Sequence, residues 1–351
     1  MAKAKKKPVK AISKAEAAKM SKSKLDLAKA AIQKKYGNLL VTMGERGDLK
    51  VETISSGSIG LDMALGRGGF ARGRIYEIFG PTSGGKTTLT MSIIAQAQKK
   101  GLKCAFVDAE HTADPDLFKA MGVDTDALEL IDLYTGEDNL HSLETYIKTG
   151  EISVAVVDSV AALIPKAEAE SEIEDNHMAL LARLMGKTTR RFAPLAGETN
   201  TLIIFINQIR KSLKQWEDEV TTGGEALPFY SSGRIKVTGK PTQKGRIVEP
   251  ITGEIIGHKT HFYVVKNKLG IPYRSAEVDL VYGIGYDLVQ ETLGIAESLG
   301  IIEKSGAWYA YGDLKANGLL AFKTLINENK DLYEAIYKDV LKYSGMDKYY
   351  E

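Results

Sequence analysis

Residues 80–87 read G-P-T-S-G-G-K-T, and no other stretch of this 351-residue chain limits its fold so tightly. The spacing G-x-x-x-x-G-K-T lets a loop turn its backbone N–H groups onto phosphate oxygens. It works where a strand feeds the loop and a helix leaves it, because the helix N-terminus favours the anion. Both flanks are legible. "RIYEIF" (74–79) reads as a strand, and the stretch to about Lys100 reads as a helix. Gly80, Gly84 and Gly85 allow the tight turn, and Pro81, Thr82, Ser83 and Thr88 complete the cradle. Lys86 would reach the β- and γ-phosphates and the Thr87 hydroxyl would bind Mg²⁺. A purely structural glycine turn leaves Lys86 unexplained.

The loop opens a series of apolar runs: "CAFVD" (104–108), "LELIDL" (128–133), "VAVVD" (154–158) and "TLIIFIN" (201–207). Helical patterns separate them, following Asp114 and from about Asn139 to Thr149. Near-continuous apolar strands alternating with helices predict an α/β fold with a mostly parallel sheet covered on both faces. In such a sheet the C-terminal strand ends share one crevice with the loop. Asp158 stands at one such end, as a ligand for Mg²⁺ directly or through water. Glu110 stands just past another, where a carboxylate activates water against a γ-phosphate. Asp108 is the alternative base, and Gln208 follows the fifth strand as a neutral amide. No arginine-rich lid is evident, so the parts favour ATP hydrolysis over phosphate transfer to a small acceptor.

Charge is unevenly spread. Residues 1–35 hold twelve lysines against Glu16 and Asp26, whereas the net charge of the whole chain is only +2. Such an arm attracts a polyanion or is simply solvated. Leu25, Ile32 and Tyr36 then fall near one helix face, with Ala28 between them and Gly37 at the end, a helix that needs another surface to lean on. The chain divides into 1–48 (basic arm and assembly helix), 49–284 (ATPase core) and 285–351 (a small α+β domain, helical around "GAWYAYGD"). One cysteine, Cys104, fits a reducing compartment. The apolar runs are too short to span a bilayer, and no apolar segment follows the basic start, so a cytoplasmic protein without membrane attachment is expected.

The ordered blocks "VETISSGSIGLDMALGRGG", "GRIYEIFGPTSGGKTTLT", "CAFVDAEH", "VVDSVAALIPKAE", "IFINQIR", "TTGG", "VVKNK" and "GAWYAY" resemble the bacterial RecA family of DNA recombinases. The resemblance covers most of residues 50–312. It implies a RecA-type ATPase core and a head-to-tail helical filament on single-stranded DNA that pairs it with homologous duplex. It further implies that Lys86 and Thr87 bind ATP and Mg²⁺, Glu110 activates water, Asp158 supports the metal and Gln208 links the γ-phosphate to DNA. Asp114 and Tyr282 match positions that contact adenine, and Lys266 and Lys268 match lysines lent to a neighbouring subunit's γ-phosphate. On a strand, those two lysines would share a face. Two loops, 168–178 and 210–224, match the DNA-binding loops. There Met178, Arg183, Arg190, Arg210, Leu213, Gly223 and Gly224 are the DNA-contact positions.

The chain also departs from the family pattern. Leu117 or Phe118 stands where an aromatic residue packs on adenine. Gly85 replaces a common serine and is expected to loosen the loop, and Pro228 replaces a common lysine. Trp216 sits in a second DNA loop slightly shorter than is typical, and the last residues to Glu351, "YSGMDKYYE", do not match the family's acidic C-terminal tail. Two further readings share the core: a ring-forming helicase or translocase, and a non-catalytic ATP-binding regulator. The first lacks room for a loader-binding domain, and the second has no need of Glu110.

Overall fold

The computed structural model describes residues 24–36, 51–172, 179–211, 219–243, 245–249 and 251–350. Two units divide the chain, 1–51 and 52–351. In the first, Lys24–Tyr36 form helix α1. Leu25, Leu27 and Ile32 are exposed on it, so α1 carries apolar surface without a core of its own among the described residues. The lysine-rich residues 1–23, Gly37 and the rest of 37–48 lie outside the described residues.

The second unit opens on an antiparallel ribbon, β1 (Thr53–Ile54) with β2 (Phe70–Ala71), around helix α2 (Ile59–Leu65). Strands and helices then alternate: β3 (Ile75–Gly80), α3 (Lys86–Lys99), β4 (Lys103–Asp108), α4 (Pro115–Ala120), β5 (Leu128–Ile131) and α5 (Gly136–Lys148). There follow β6 (Ile152–Asp158), α6 (Lys166–Ala169), α7 (Leu180–Thr199) and β7 (Leu202–Lys211). Next come β8 (Glu219–Thr221), α8 (Ala226–Tyr230), β9 (Gly233–Gly239), β10 (Arg246–Val248), β11 (Ile255–Asn267), β12 (Ser275–Val281) and β13 (Gly285–Tyr286).

Strands β3 to β13 build one eleven-stranded sheet, ordered β13-β12-β11-β9-β3-β7-β6-β4-β5, with β10 on β11 and β8 on β7. From β5 to β9 neighbours run parallel, and from β9 to β13 they run antiparallel. Burial explains the division. β3 and β6 are buried at every position, as strands covered by helices on both faces must be. β9 alternates between buried and half-buried residues, the mark of a strand covered on one face. Along β6 and β7 the alternation sorts the core: Val156 and Ile204 pack with the cluster under α3, and Val157 and Phe205 with the cluster under α5 and α7.

A third cluster belongs to α9 (Leu288–Ser298), the three-stranded sheet β14 (Glu303–Ser305), β15 (Trp308–Tyr311) and β16 (Leu314–Asn317), and helices α10 (Leu319–Glu328) and α11 (Lys330–Tyr343). The sequence places helices around 306–313, but "WYAY" is the central strand of this small sheet. Gly306 and Gly312, both at positive φ, supply the turns on either side. This region is fastened to the core by buried carboxyls. Glu291 of α9 accepts from Ser58 Oγ and from Gly60 N (3.1 Å). Asp62 of α2 accepts from the Tyr350 hydroxyl, Ser55 Oγ (2.5 Å) and Ser56 N (2.9 Å). Among the described residues no helix is long and apolar enough to cross a membrane.

Candidate nucleotide and DNA site

The loop 80–87 is locked against its neighbours by missing side chains. A Cβ on Gly80 would lie 1.9 Å from the Val237 carbonyl oxygen, and one on Gly84 would lie 3.2 Å from the same atom. Gly85 takes φ +92°, so glycine meets a backbone requirement here where the sequence suggested only looseness. Ser83 also has positive φ. Lys86 opens α3 with its side chain folded back, Nζ donating to the Pro81 carbonyl at 2.7 Å. Burial holds its pKa below the ordinary lysine value, while Asp158 and Glu110 pull the other way.

Three strand ends converge on the loop. Gly80 is in register with Gln208, and Asp108 with Asp158. The Thr87 hydroxyl donates to Asp158 Oδ2 at 2.7 Å. Burial, with repulsion from Glu110 and Asp108, lifts Asp158 to about 6 against the Thr87 hydrogen bond and the pull of Lys86. A hydroxyl paired with a carboxylate held at such a cost is a donor set suited to a hard divalent cation. Glu110, exposed just past β4, accepts from Ser159 Oγ at 2.5 Å and from Gln208 Nε2 at 3.4 Å. The Asp158–Ser159 peptide is cis. Asp108 is committed elsewhere, accepting from Ala113 N at 2.7 Å, which leaves Glu110 as the carboxylate facing the crevice. No local pattern marks Ser159 for a role, although it lies within "VVDSVAALIPKAE".

Asp114 caps α4, accepting from Asp116 N at 2.9 Å. Tyr282 stands half-exposed on the β12–β13 turn, and Gly285 of that turn packs on Met121 at the end of α4. Leu117 and Phe118 differ in burial. Phe118 is 3% exposed, edge-on to Phe106 at 5.2 Å, whereas Leu117 is 40% exposed. Phe118 is a core residue.

Away from the loop, β7 continues past the apolar run to Lys211 and pairs with β8, Arg210 opposite Val220. Arg210 is exposed, as are Arg183 and Arg190 on α7. Arg191 is instead tied to Glu144 at 2.7 Å. Gly223 and Gly224 both have positive φ. A Cβ on Gly224 would lie 2.9 Å from Ala182 Cβ, so the returning leg of the second loop is pinned beside Arg183. Met178, Leu213 and Trp216 lie outside the described residues.

Lys266 and Lys268 lie elsewhere. Asn267 pairs with Gly233, and Gly233 pairs with Tyr76, so both lysines belong to the edge where the parallel strands begin. The phosphate loop is at the edge where they end. β11 stops at Asn267 and its ladder slips between Val264 and Lys266, so simple alternation does not place Lys268. Lys266 Nζ donates to the carbonyls of Pro228 (2.7 Å) and Phe229 (3.0 Å), and Lys268 is exposed.

Comparison with known proteins decides the family. The RecA N-terminal domain model matches residues 23–287, and the RecA C-terminal domain model matches 290–345. The chain belongs to the RecA family. It is 44% identical over 324 residues to the protein named Protein RecA of Thermus aquaticus, covering 91% of this chain and 93% of that one. Against Protein RecA of Oceanobacillus iheyensis it is 42% identical over 331 residues, covering 93% and 94%. RecA proteins are DNA-dependent ATPases that act as recombinases by strand exchange, and this chain is a recombinase of that kind; the family generally uses ATP with Mg²⁺.

Proposed function

We propose that this chain hydrolyses ATP at sites shared between successive subunits of a head-to-tail filament on single-stranded DNA, and that the filament pairs this strand with homologous duplex. One observation carries the shared site. Within one subunit Glu110 and the Lys266–Lys268 pair occupy opposite edges of the sheet. Tyr76 and Gly80 alone are four strand residues apart, roughly 13 Å at about 3.3 Å per residue. A lysine at the far edge serves a phosphate by meeting the next subunit's crevice, and a heterologous contact of that kind repeats into a helix.

Within each site the loop 80–88 binds the phosphates and Lys86 exchanges the Pro81 carbonyl for them. Thr87 and Asp158 hold Mg²⁺, which supplies charge neutralisation at the phosphates when bound. Ser159 and Gln208 orient Glu110, which takes the proton of the attacking water. Lys266 and Lys268 of the adjoining subunit offset the developing charge. Asp114 and Tyr282 hold the adenine, with Leu117 as the apolar side chain beside it. Gln208 touches Glu110 and leads along β7 into the β7–β8 ribbon, a continuous path from the hydrolytic carboxylate to the DNA loops. There Arg183, Arg190 and Arg210 meet backbone phosphates, Gly223 and Gly224 shape the loop base, and Met178 and Leu213 separate the bases. The divisions 1–48, 49–284 and 285–351, and a cytoplasmic setting, belong to the same proposal.

Complementation tests it. Lys86→Ala disables a subunit's own loop, and Lys268→Ala disables what it lends. Each alone is expected to lose DNA-dependent hydrolysis. In an equal random mixture about a quarter of head-to-tail interfaces join an intact loop to an intact lysine, so activity returns. Normal hydrolysis by Lys268→Ala alone would overturn the shared site.

A further inference from the structure

Strand β11 presents His258, Thr260 and Phe262 inward, all buried, in one column of alternate residues. The column connects the two ends of the nucleotide site. At one end a Cβ on Gly85 of the phosphate loop would lie 3.6 Å from both Thr260 and Leu280, in ordinary contact. At the other end His258 pairs across the ladder with Leu280, and its ring lies 5.5 Å from that of Tyr282. His258 Nδ1 and the Tyr282 hydroxyl share a hydrogen bond of 3.0 Å. It is the polar contact that ties the Tyr282 side chain to the sheet.

His258 is 2% exposed, and its Nε2 has no hydrogen-bond partner among the described residues. An imidazole is an expensive choice for such a place, because an unpaired buried polar atom costs free energy that an aliphatic side chain avoids. Space is also reserved for it. A Cβ on Gly239 would come within 2.5 Å of the imidazole, so the ring fits only because residue 239 is glycine. The ring is neutral at physiological pH, since burial holds its pKa below the ordinary histidine value. A buried, neutral, half-paired ring in a slot opened by glycine makes one side-chain hydrogen bond among the described residues, to a half-exposed tyrosine.

We propose that His258 is a positioning residue for nucleotide recognition, fixing the Tyr282 ring through its hydroxyl so that the ring face meets the base without ordering on each binding event. This rests on the reading that Tyr282 contacts adenine. A free tyrosine ring loses rotamer freedom on binding, and the His258 bond spends that entropy during folding instead. The effect therefore falls on nucleotide affinity and KM, not on the hydrolytic step at Glu110.

The experiment measures ADP binding in Mg²⁺ and steady-state ATP hydrolysis on single-stranded DNA in the full chain. Tyr282→Ala tests the underlying reading and is expected to weaken ADP binding by about tenfold or more. Tyr282→Phe removes one oxygen, and His258→Leu removes the partner. Each should raise the ADP Kd and the ATP KM about 3- to 10-fold, the range for one lost hydrogen bond, leaving kcat as the lesser change. The double variant should be no weaker than the weaker single, because both delete the same bond. His258→Asn, whose amide reaches the position of Nδ1, should recover most of the affinity. If Tyr282→Ala binds ADP normally, the base-contact reading falls and takes the inference with it. If Tyr282→Ala binds weakly but Tyr282→Phe binds like the parent, or the two single effects multiply, the inference alone is overturned. Should His258→Leu fail to fold, Tyr282→Phe and His258→Asn decide the matter, the first being a change at a half-exposed side chain.

Discussion

Glu291→Gln should make this protein more stable at alkaline pH. Glu291 is buried against α2, and burial, with repulsion from Asp62, lifts its pKa to about 7 against the hydrogen bonds from Ser58 and Gly60. In the unfolded chain it ionises near the ordinary value of about 4.3. Between these two pH values the unfolded chain gives up a proton that the folded chain keeps. Stability therefore falls as pH rises through the window from about 4.3 to about 7, and is level above it. At roughly 1.4 kcal/mol for each tenfold, the full loss is roughly 4 kcal/mol. Glutamine stays neutral and keeps an oxygen where Glu291 Oε1 accepts from Ser58 and Gly60. Urea unfolding from pH 5 to pH 8, followed by circular dichroism, measures the difference. Parent and variant should be about 1 kcal/mol apart at pH 5 and separate further towards pH 8, with the variant ahead by up to roughly 4 kcal/mol. Parallel curves across this range, or a variant weaker at pH 8, would refute the reasoning, because ionisation of Glu291 would then carry no cost.

Glu110→Gln should bind ATP normally and hydrolyse it about 10²–10⁴-fold more slowly, since an amide can hold the water but is a far weaker base; near-parent turnover on single-stranded DNA would move the role to another group. Phe118→Ala should cost about 3–5 kcal/mol in urea unfolding, as for other buried aromatics, and Leu117→Ala well under 1 kcal/mol, with its effect on ADP affinity instead. Equal stability losses in the two would mean that the aromatic is not the core member of the pair.

The parallel half of the fold was legible because its strands are buried on both faces and its loop has a fixed spacing. Apolar runs such as "VAVVD" need no partner to be recognised, and each boundary moved by only a few residues. β15 was harder to read: "WYAY" is apolar throughout, and its strand identity depends on Gly306 and Gly312 turning the chain on either side. The same limit applies to the lysines of "VVKNK". Alternation predicts a shared face for any two residues at that spacing, but the slip in the ladder after Val264 is set by the partner strand β9, which lies more than twenty residues earlier.

Site residues divide along the same line. Lys86, Thr87, Asp158 and Glu110 could be named as candidates because they stand at the ends of strands that periodicity reveals. Ser159 and His258 reach the proposed site only through a hydrogen-bond partner distant in sequence: Ser159 through Glu110, 49 residues away, and His258 through Tyr282, 24 residues away. No local pattern separates such a serine or histidine from a solvated one. One signal was nevertheless present. Glu77 lies in the middle of the apolar strand "RIYEIF", where a carboxylate must be paired to be tolerated. In the fold it is fully buried, held by Arg234 Nε at 2.5 Å and Asn207 Nδ2 at 3.0 Å. Those partners come from β9 and β7, the strands on either side of β3. A lone charge in a buried strand therefore predicts that both flanking strands carry polar partners, a constraint on sheet order that apolar periodicity cannot supply.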